Sequence, residues 1–214
     1  MATAQEWFRR TSWGPADRED FHTRLRRVRP DNRAQYLRIQ AGHLAEAGLH
    51  APALELLDAF FEAYADSDEA ATALGQQAAS LLALGRLEEV LDAYAASVAR
   101  MQANPRMKTD AWLDYVLLVA ERGARDHYER AAEALATLGA QWPLWLPHDA
   151  FRRHAALALL LSDRGQPGAD AEAKAALEAA DRAHSGLGRH PSIGLVGPRY
   201  ADLRKRLARI AAGR

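Results

Sequence analysis

The sequence predicts an all-α protein assembled from consecutive helix hairpins, and three observations lead there. Alanine is abundant, β-branched residues are sparse, and no stretch alternates apolar and polar with the period of two that a half-buried strand needs. Apolar residues recur instead at three- and four-residue steps, the signature of an amphipathic helix. Finally, AQYLRIQAGHLAEAGLHAPALELLDAFFEAYADS (34–67) and ATALGQQAASLLALGRLEEVLDAYAASVARMQAN (71–104) read as two copies of one unit. Each copy has an apolar-periodic run, a glycine (Gly48, Gly85) and a second run of similar length. Glycine takes the positive φ that closes a helix, so each copy predicts a helix, a left-handed cap and an antiparallel partner.

Composition bounds the function classes. A chain of 214 residues can bury a sizeable core, as one globular body or as a short solenoid. With no cysteine, disulfides and thiolate metal sites are excluded. The opening MATAQEWFRR has no apolar signal core, and the most apolar run, Ala155–Leu161, is flanked by Arg152, Arg153, Asp163 and Arg164. A soluble, cytoplasmic protein without a membrane span is therefore expected. Lys and Arg total 28 against 28 Asp and Glu, which argues against a nucleic-acid partner. The charges are unevenly spread, however. Between Ala41 and Ala99 ten acids face Arg86 alone, whereas residues 1–40 carry nine Arg and residues 199–214 six basic residues against Asp202. Either the acidic middle steers a basic partner, or these are solvated helix faces.

In chain order, Ser12, Gly14-Pro15 and the acids Asp17, Glu19 and Asp20 start a first helix. Its face is Phe21, Leu25 and Val28, and Arg29-Pro30 ends it. Trp7, Phe8 and Trp13 are placed to cover an apolar end of the fold, with peptide binding by Trp7 or Trp13 as the sharper alternative. The two copied units follow. A third spans Thr109–Gln141, with Trp112, Val116, Val119 and Gly123; QWPLWLPHD then forbids continuous helix. A fourth pairs Phe151–Gly165 with Ala169–Ser185. The segment Ser185–Pro198 holds four Gly and two Pro but also Leu187, Ile193, Leu195 and Val196, so it is expected as an ordered loop packed back on the helices. RYADLRKRLARIA closes the chain as a basic helix with Tyr200, Leu203, Leu207 and Ile210 on its buried stripe.

These units resemble tetratricopeptide repeats, helix pairs of about 34 residues. The family places a small residue on helix A, a Gly at the turn, and an Ala then a large residue on helix B. Here those are Ala41, Gly48, Ala53 and Leu57, with Leu37 and Leu44 as knobs, and then Ala78, Gly85, Val90 and Tyr94, with Leu74 and Leu81. The departures are specific. The Trp-x2-Leu-Gly-x2-Tyr signature is absent, Phe60 and Ser97 hold the second small position, and the terminating proline comes late, as Pro105. The resemblance implies a right-handed α-solenoid of about four degenerate hairpins (34–184), between an N-terminal helical cap (1–33) and a C-terminal loop and capping helix (185–214), in one continuous domain.

Searches for chemistry return little. No His pair has i, i+4 spacing, and His148, Asp149 and His154 do not share a helix face; Asp149 suits a helix start. There is no nucleotide-binding glycine motif after a strand and no GxSxG. SGLGRHPSIGLVG, with Arg189 and His190, is the one loop conceivable for an anion. No cofactor and no catalytic residue is assigned.

In tetratricopeptide-like stacks the A helices line a concave groove. Carried onto this chain, the groove-facing positions include Gln35, Arg38, Gln76, Leu113, Asp114, Leu117, Arg152 and Leu159, with Trp142 and Trp145 as a second surface. The family's Lys/Asn clamp for a terminal carboxylate is missing. The expected function is a non-enzymatic protein-interaction module that binds a peptide or protein segment. Two alternatives stand beside it: a ligand or peptide sensor using the groove and the Gly-rich loop, and an immunity-type inhibitor masking a basic protein with the acidic Glu55–Asp92 surface. Leu187–Val196 filling the groove from within competes with an open groove.

Overall fold

A computed structural model describes residues 6–104 and 106–213; Pro105, expected to terminate the second unit, lies outside them. Among the described residues there are ten α-helices and no strand. None of these helices is long and apolar enough to cross a membrane. The packing divides the chain into two compact units, with the boundary between Ala111 and Trp112.

The first unit holds α1 (Pro15–Arg27), α2 (Pro30–Glu46), α3 (His50–Tyr64), α4 (Ala70–Ala83) and α5 (Leu87–Ala103). Pro30 both helps stop α1, by holding Arg29 out of helical geometry, and occupies the first turn of α2, where its missing N–H costs nothing. Helix α2 pairs with α3 and α4 with α5; α3 also packs on α4, and α2 on α4. Of the helix residues picked out by the repeat pattern, all are buried except Leu74, which is half-buried; the turn glycines Gly48 and Gly85 are exposed. The two residues at the second small position, Phe60 and Ser97, are accommodated differently. Phe60 is fully buried and meets Phe61 edge to face, while the buried Ser97 hydroxyl donates to the Ala71 carbonyl at 2.7 Å.

The N-terminal aromatics cover this core. Trp7 and Phe8 pack on each other and on Tyr36, and Trp7 and Trp13 both reach Phe21. Gln40, wholly buried on α2, holds the segment in place: its amide accepts from the Arg10 N–H (3.0 Å) and donates to the Arg10 carbonyl (2.8 Å).

The second unit takes α6 (Ala111–Arg122) from Trp112 onward, then α7 (Tyr128–Gln141), α8 (Pro147–Asp163), α9 (Ala169–Ala180) and α10 (Ala201–Ala211). Proline-rich QWPLWLP separates α7 from α8 as expected. Alanines 173, 176, 179 and 180 are buried, and such short side chains let α9 approach α8 closely. Helix α10 lies on α9 and α8 through Leu203 and Leu207, with Tyr200 buried just before it.

Four turns share one construction. Gly48, Gly85, Gly123 and Gly165 all have φ between 62° and 79°. After each, the next residue's N–H bonds back to the carbonyl four residues before the glycine: Leu49 to Leu44, Arg86 to Leu81, Ala124 to Val119 and Gln166 to Leu161, at 2.8–3.1 Å. This six-to-one closure satisfies carbonyls that a helix end otherwise strands.

The loop after α9 is tied back to the helices, but not all of its apolar side chains are covered. It is ordered by its own bonds, with the Ser185 hydroxyl donating to the His190 carbonyl and the Ser185 N–H to the Pro191 carbonyl, both at 2.8 Å. The Gly194 carbonyl accepts from the His148 N–H at 2.7 Å, which ties the loop to the start of α8. A β-carbon on Gly194 would lie 2.7 Å from Leu146, so only glycine fits. Leu195 and Val196 are half-buried, but Leu187 and Ile193 stay exposed. The backbone is fixed by hydrogen bonds, and burial of all four apolar side chains is not required.

Candidate interaction surfaces

The positions carried over as groove-lining separate by unit. In the first, Gln35 is exposed, while Arg38 is half-buried and ion-paired with Glu69. Gln76 lies over Gly42, where its amide would meet an added β-carbon at 2.8 Å, so these side chains fill the space between α2 and α4. Gly75 serves a different close approach, of α4 to Ala111, since a β-carbon there would lie 2.9 Å from that of Ala111.

In the second unit Leu113, Leu117 and Leu159 are at most 4% exposed, which corrects their assignment as groove lining. From Ala111 to Ala120 only Asp114 is not buried, so α6 has almost no solvent face on which partner-binding leucines could stand. A repeat register identifies a helix face but not whether other elements cover it.

Arg152 is likewise core, at 1% exposure. Its guanidinium donates to Asp114 and to Asp149, each at 2.7 Å, bridging α6 to the first turn of α8. Asp149 thus combines its place at a helix start with acceptance of a buried cation. Beside this network His148 Nε2 sits 2.9 Å from the Tyr200 hydroxyl, and Arg199 donates to that hydroxyl at 2.7 Å. Burial pushes the Tyr200 phenol above its ordinary range, against the charge of Arg199. His154 is engaged elsewhere, with Nδ1 2.6 Å from Glu172. No group of three His, Asp or Glu side chains among the described residues could hold a metal ion. This network joins helices around the buried Arg152, while Asp114 and Arg199 keep an edge in solvent. Trp142 is half-buried and Trp145 is 78% exposed.

Sequence reasoning passed over a different surface. At the turn between α4 and α5, Leu82, Leu84 and Leu87 are 37%, 45% and 41% exposed. They stand three and one residues before Gly85 and two after it. The same positions at the other turns are Ala45, Ala47 and His50; Ala120, Arg122 and Arg125; and Ser162, Arg164 and Pro167. The second turn alone carries three large apolar residues there. Aligning the four glycines reveals this from the sequence, but the aligned positions count as apolar knobs until burial is known.

Acids flank the leucines. On α3, Glu55, Asp58 and Glu62 recur at i, i+3 and i+7 on an exposed stripe; Glu88, Glu89 and Asp92 are exposed on α5. The hydrogen bond that Arg86 donates to Glu89 chiefly, with the nearby charge of Asp58, raises the Arg86 pKa, so Asp58 on α3 lies close to this turn. Glu55 pairs with Arg18 at 2.8 Å, but no ion pair among the described residues engages Asp58, Glu62, Glu88 or Asp92.

No protein-family model matches the chain, and comparison with curated proteins and with solved structures finds no match.

Proposed function

We propose that the chain is a non-catalytic protein-interaction module of tetratricopeptide-like build, an α-solenoid of degenerate hairpins. Its contact surface is the leucine-bearing turn between α4 and α5 with the adjoining acidic stripes. The solenoid reading draws support within each unit from packing between alternate helices, α2 on α4 and α8 on α10, and from four turns of one construction. Contact through a concave groove lined by Leu113, Leu117 and Leu159 is set aside, since those residues are core.

The observation that carries the proposal is the exposure of three leucines at a turn whose counterparts are mostly small or polar. Clustered apolar side chains rimmed by charge are how interaction sites are composed, with the apolar centre supplying affinity and the rim supplying partner choice and rate. The rim here is acidic, so the partner is a protein segment with apolar side chains between Lys or Arg residues. The immunity-type reading falls within this class, as a partner of basic charge masked by the same face.

The test compares three immobilised proteins: wild type, Leu82→Ser/Leu84→Ser/Leu87→Ser, and Asp58→Asn/Glu88→Gln/Asp92→Asn. A specific partner retained by wild type is expected to fall at least ten-fold with the leucine variant. With the acid variant its association should slow and lose its salt dependence. Equal retention by all three proteins, with their folds intact, refutes the assignment of this surface.

A further inference from the structure

Helices α7 and α8 leave between them a half-open cleft of about 260 Å³, lined entirely by residues of the second unit and separate from the surface proposed above. From α7 its wall includes Leu135 and Ala136; from α8, Leu157 and Leu161. Ala132 and Ala136 on α7 are too short to fill the space towards the leucines of α8, so an apolar trough stays open. With a liquid share of about 30 Å³ per molecule, it has room for roughly nine waters, which such walls hold poorly.

Arg153 lines this trough. Its Nε is buried and has no hydrogen-bond partner, and no ion pair engages the residue among the described residues. Gly139 accommodates it on α7, where an added β-carbon would stand 3.3 Å from that Nε. Arg164, three turns further along α8, closes the far end but donates to Glu129 at 2.9 Å and lies over the Tyr128 ring. Of the two cations, therefore, Arg153 is the one without a counter-charge. Among apolar walls, a carboxylate beside the Arg153 guanidinium gains a charge-assisted bond and supplies the missing counter-charge.

We propose that this cleft binds a medium-chain aliphatic carboxylate, with the carboxylate on Arg153 and the chain along Leu135, Leu157 and Leu161. The site requires both features at once. A short anion lacks the apolar contact, and an uncharged or cationic chain leaves Arg153 as it was.

The probes are decanoate, decanol, decyltrimethylammonium and acetate, titrated calorimetrically against the full chain below their micelle concentrations. Decanoate is expected to bind one per chain and raise the melting temperature. The other three are expected to bind at least ten-fold more weakly. Arg153→Gln should weaken decanoate at least ten-fold, Arg153→Lys should weaken it less, and Ala136→Leu should block it by filling the trough with the charge intact. Circular dichroism establishes that each variant is folded, and Ala136→Leu and Arg153→Lys keep the test open if Arg153→Gln is not. Absence of decanoate binding, or equal binding of decanoate and decyltrimethylammonium, overturns the proposal. So does a decanoate affinity unchanged by both Arg153→Lys and Ala136→Leu.

Discussion

Replacing Leu117 by Asp tests whether α6 is an interior helix. Leu117 is 4% exposed and sits among Leu113, Val116, Leu118 and Ala120, all buried. Truncating a buried leucine costs about 2–5 kcal/mol in transfer and cavity terms. An unpartnered carboxyl adds about 2 kcal/mol or more. The expected loss is roughly 5 kcal/mol, comparable with the whole stability of a domain, about 5–15 kcal/mol. Such a carboxyl is driven towards its neutral form, with its pKa raised in the folded state. Between the unfolded and folded pKa values the unfolded chain binds fewer protons, so the variant's deficit grows as pH rises. Urea unfolding followed by far-ultraviolet circular dichroism at pH 5 and pH 8 measures this, with Leu84→Asp, at a position 45% exposed, as the control. Leu117→Asp should unfold at much lower urea, more so at pH 8, while Leu84→Asp stays within about 0.5 kcal/mol of wild type. If both variants behave alike, α6 presents Leu117 to solvent and the groove assignment is restored.

Gly85→Ala should cost about 1 kcal/mol, because φ is 75° and nothing lies within 4 Å of an added β-carbon, leaving a purely conformational penalty. Gly85→Asn should cost less, and a denaturation midpoint unchanged by Gly85→Ala counts against the left-handed cap. His22 packs edge-on against Phe21 and Trp13, and burial first, then Arg26 and Arg18, lowers its pKa. As pH falls below about 6.5 the unfolded chain protonates first, so His22 contributes a loss of stability on the acid side that His22→Asn should remove. Thermal melts between pH 5 and 8 check this. For Trp145→Ser, 78% exposure predicts a stability change within about 0.5 kcal/mol, with the loss of a solvent-exposed tryptophan emission.

What the sequence disclosed is local. The turn glycines, the proline breaks at Arg29-Pro30 and QWPLWLP, and the apolar periodicities depend on a few neighbouring residues, and they place most helices, although α8 begins at Pro147 instead of Phe151 and α9 ends at Ala180, short of Ser185. The repeat pattern also picked core residues well, because a helix with one apolar stripe has one way to bury it. What it left undecided is which faces receive a second layer. Leu113 and Leu117 on α6 and Leu84 and Leu87 at the α4–α5 turn are the same residue type, yet the first pair is core and the second faces water. Arg152 and Arg153 are neighbours in the chain, one held between two carboxylates and the other lining an apolar cleft. Hydrogen-bonded turns and helix periodicity are set within about one turn of chain. Burial is set by what arrives from dozens of residues away, and only the tertiary packing decides it.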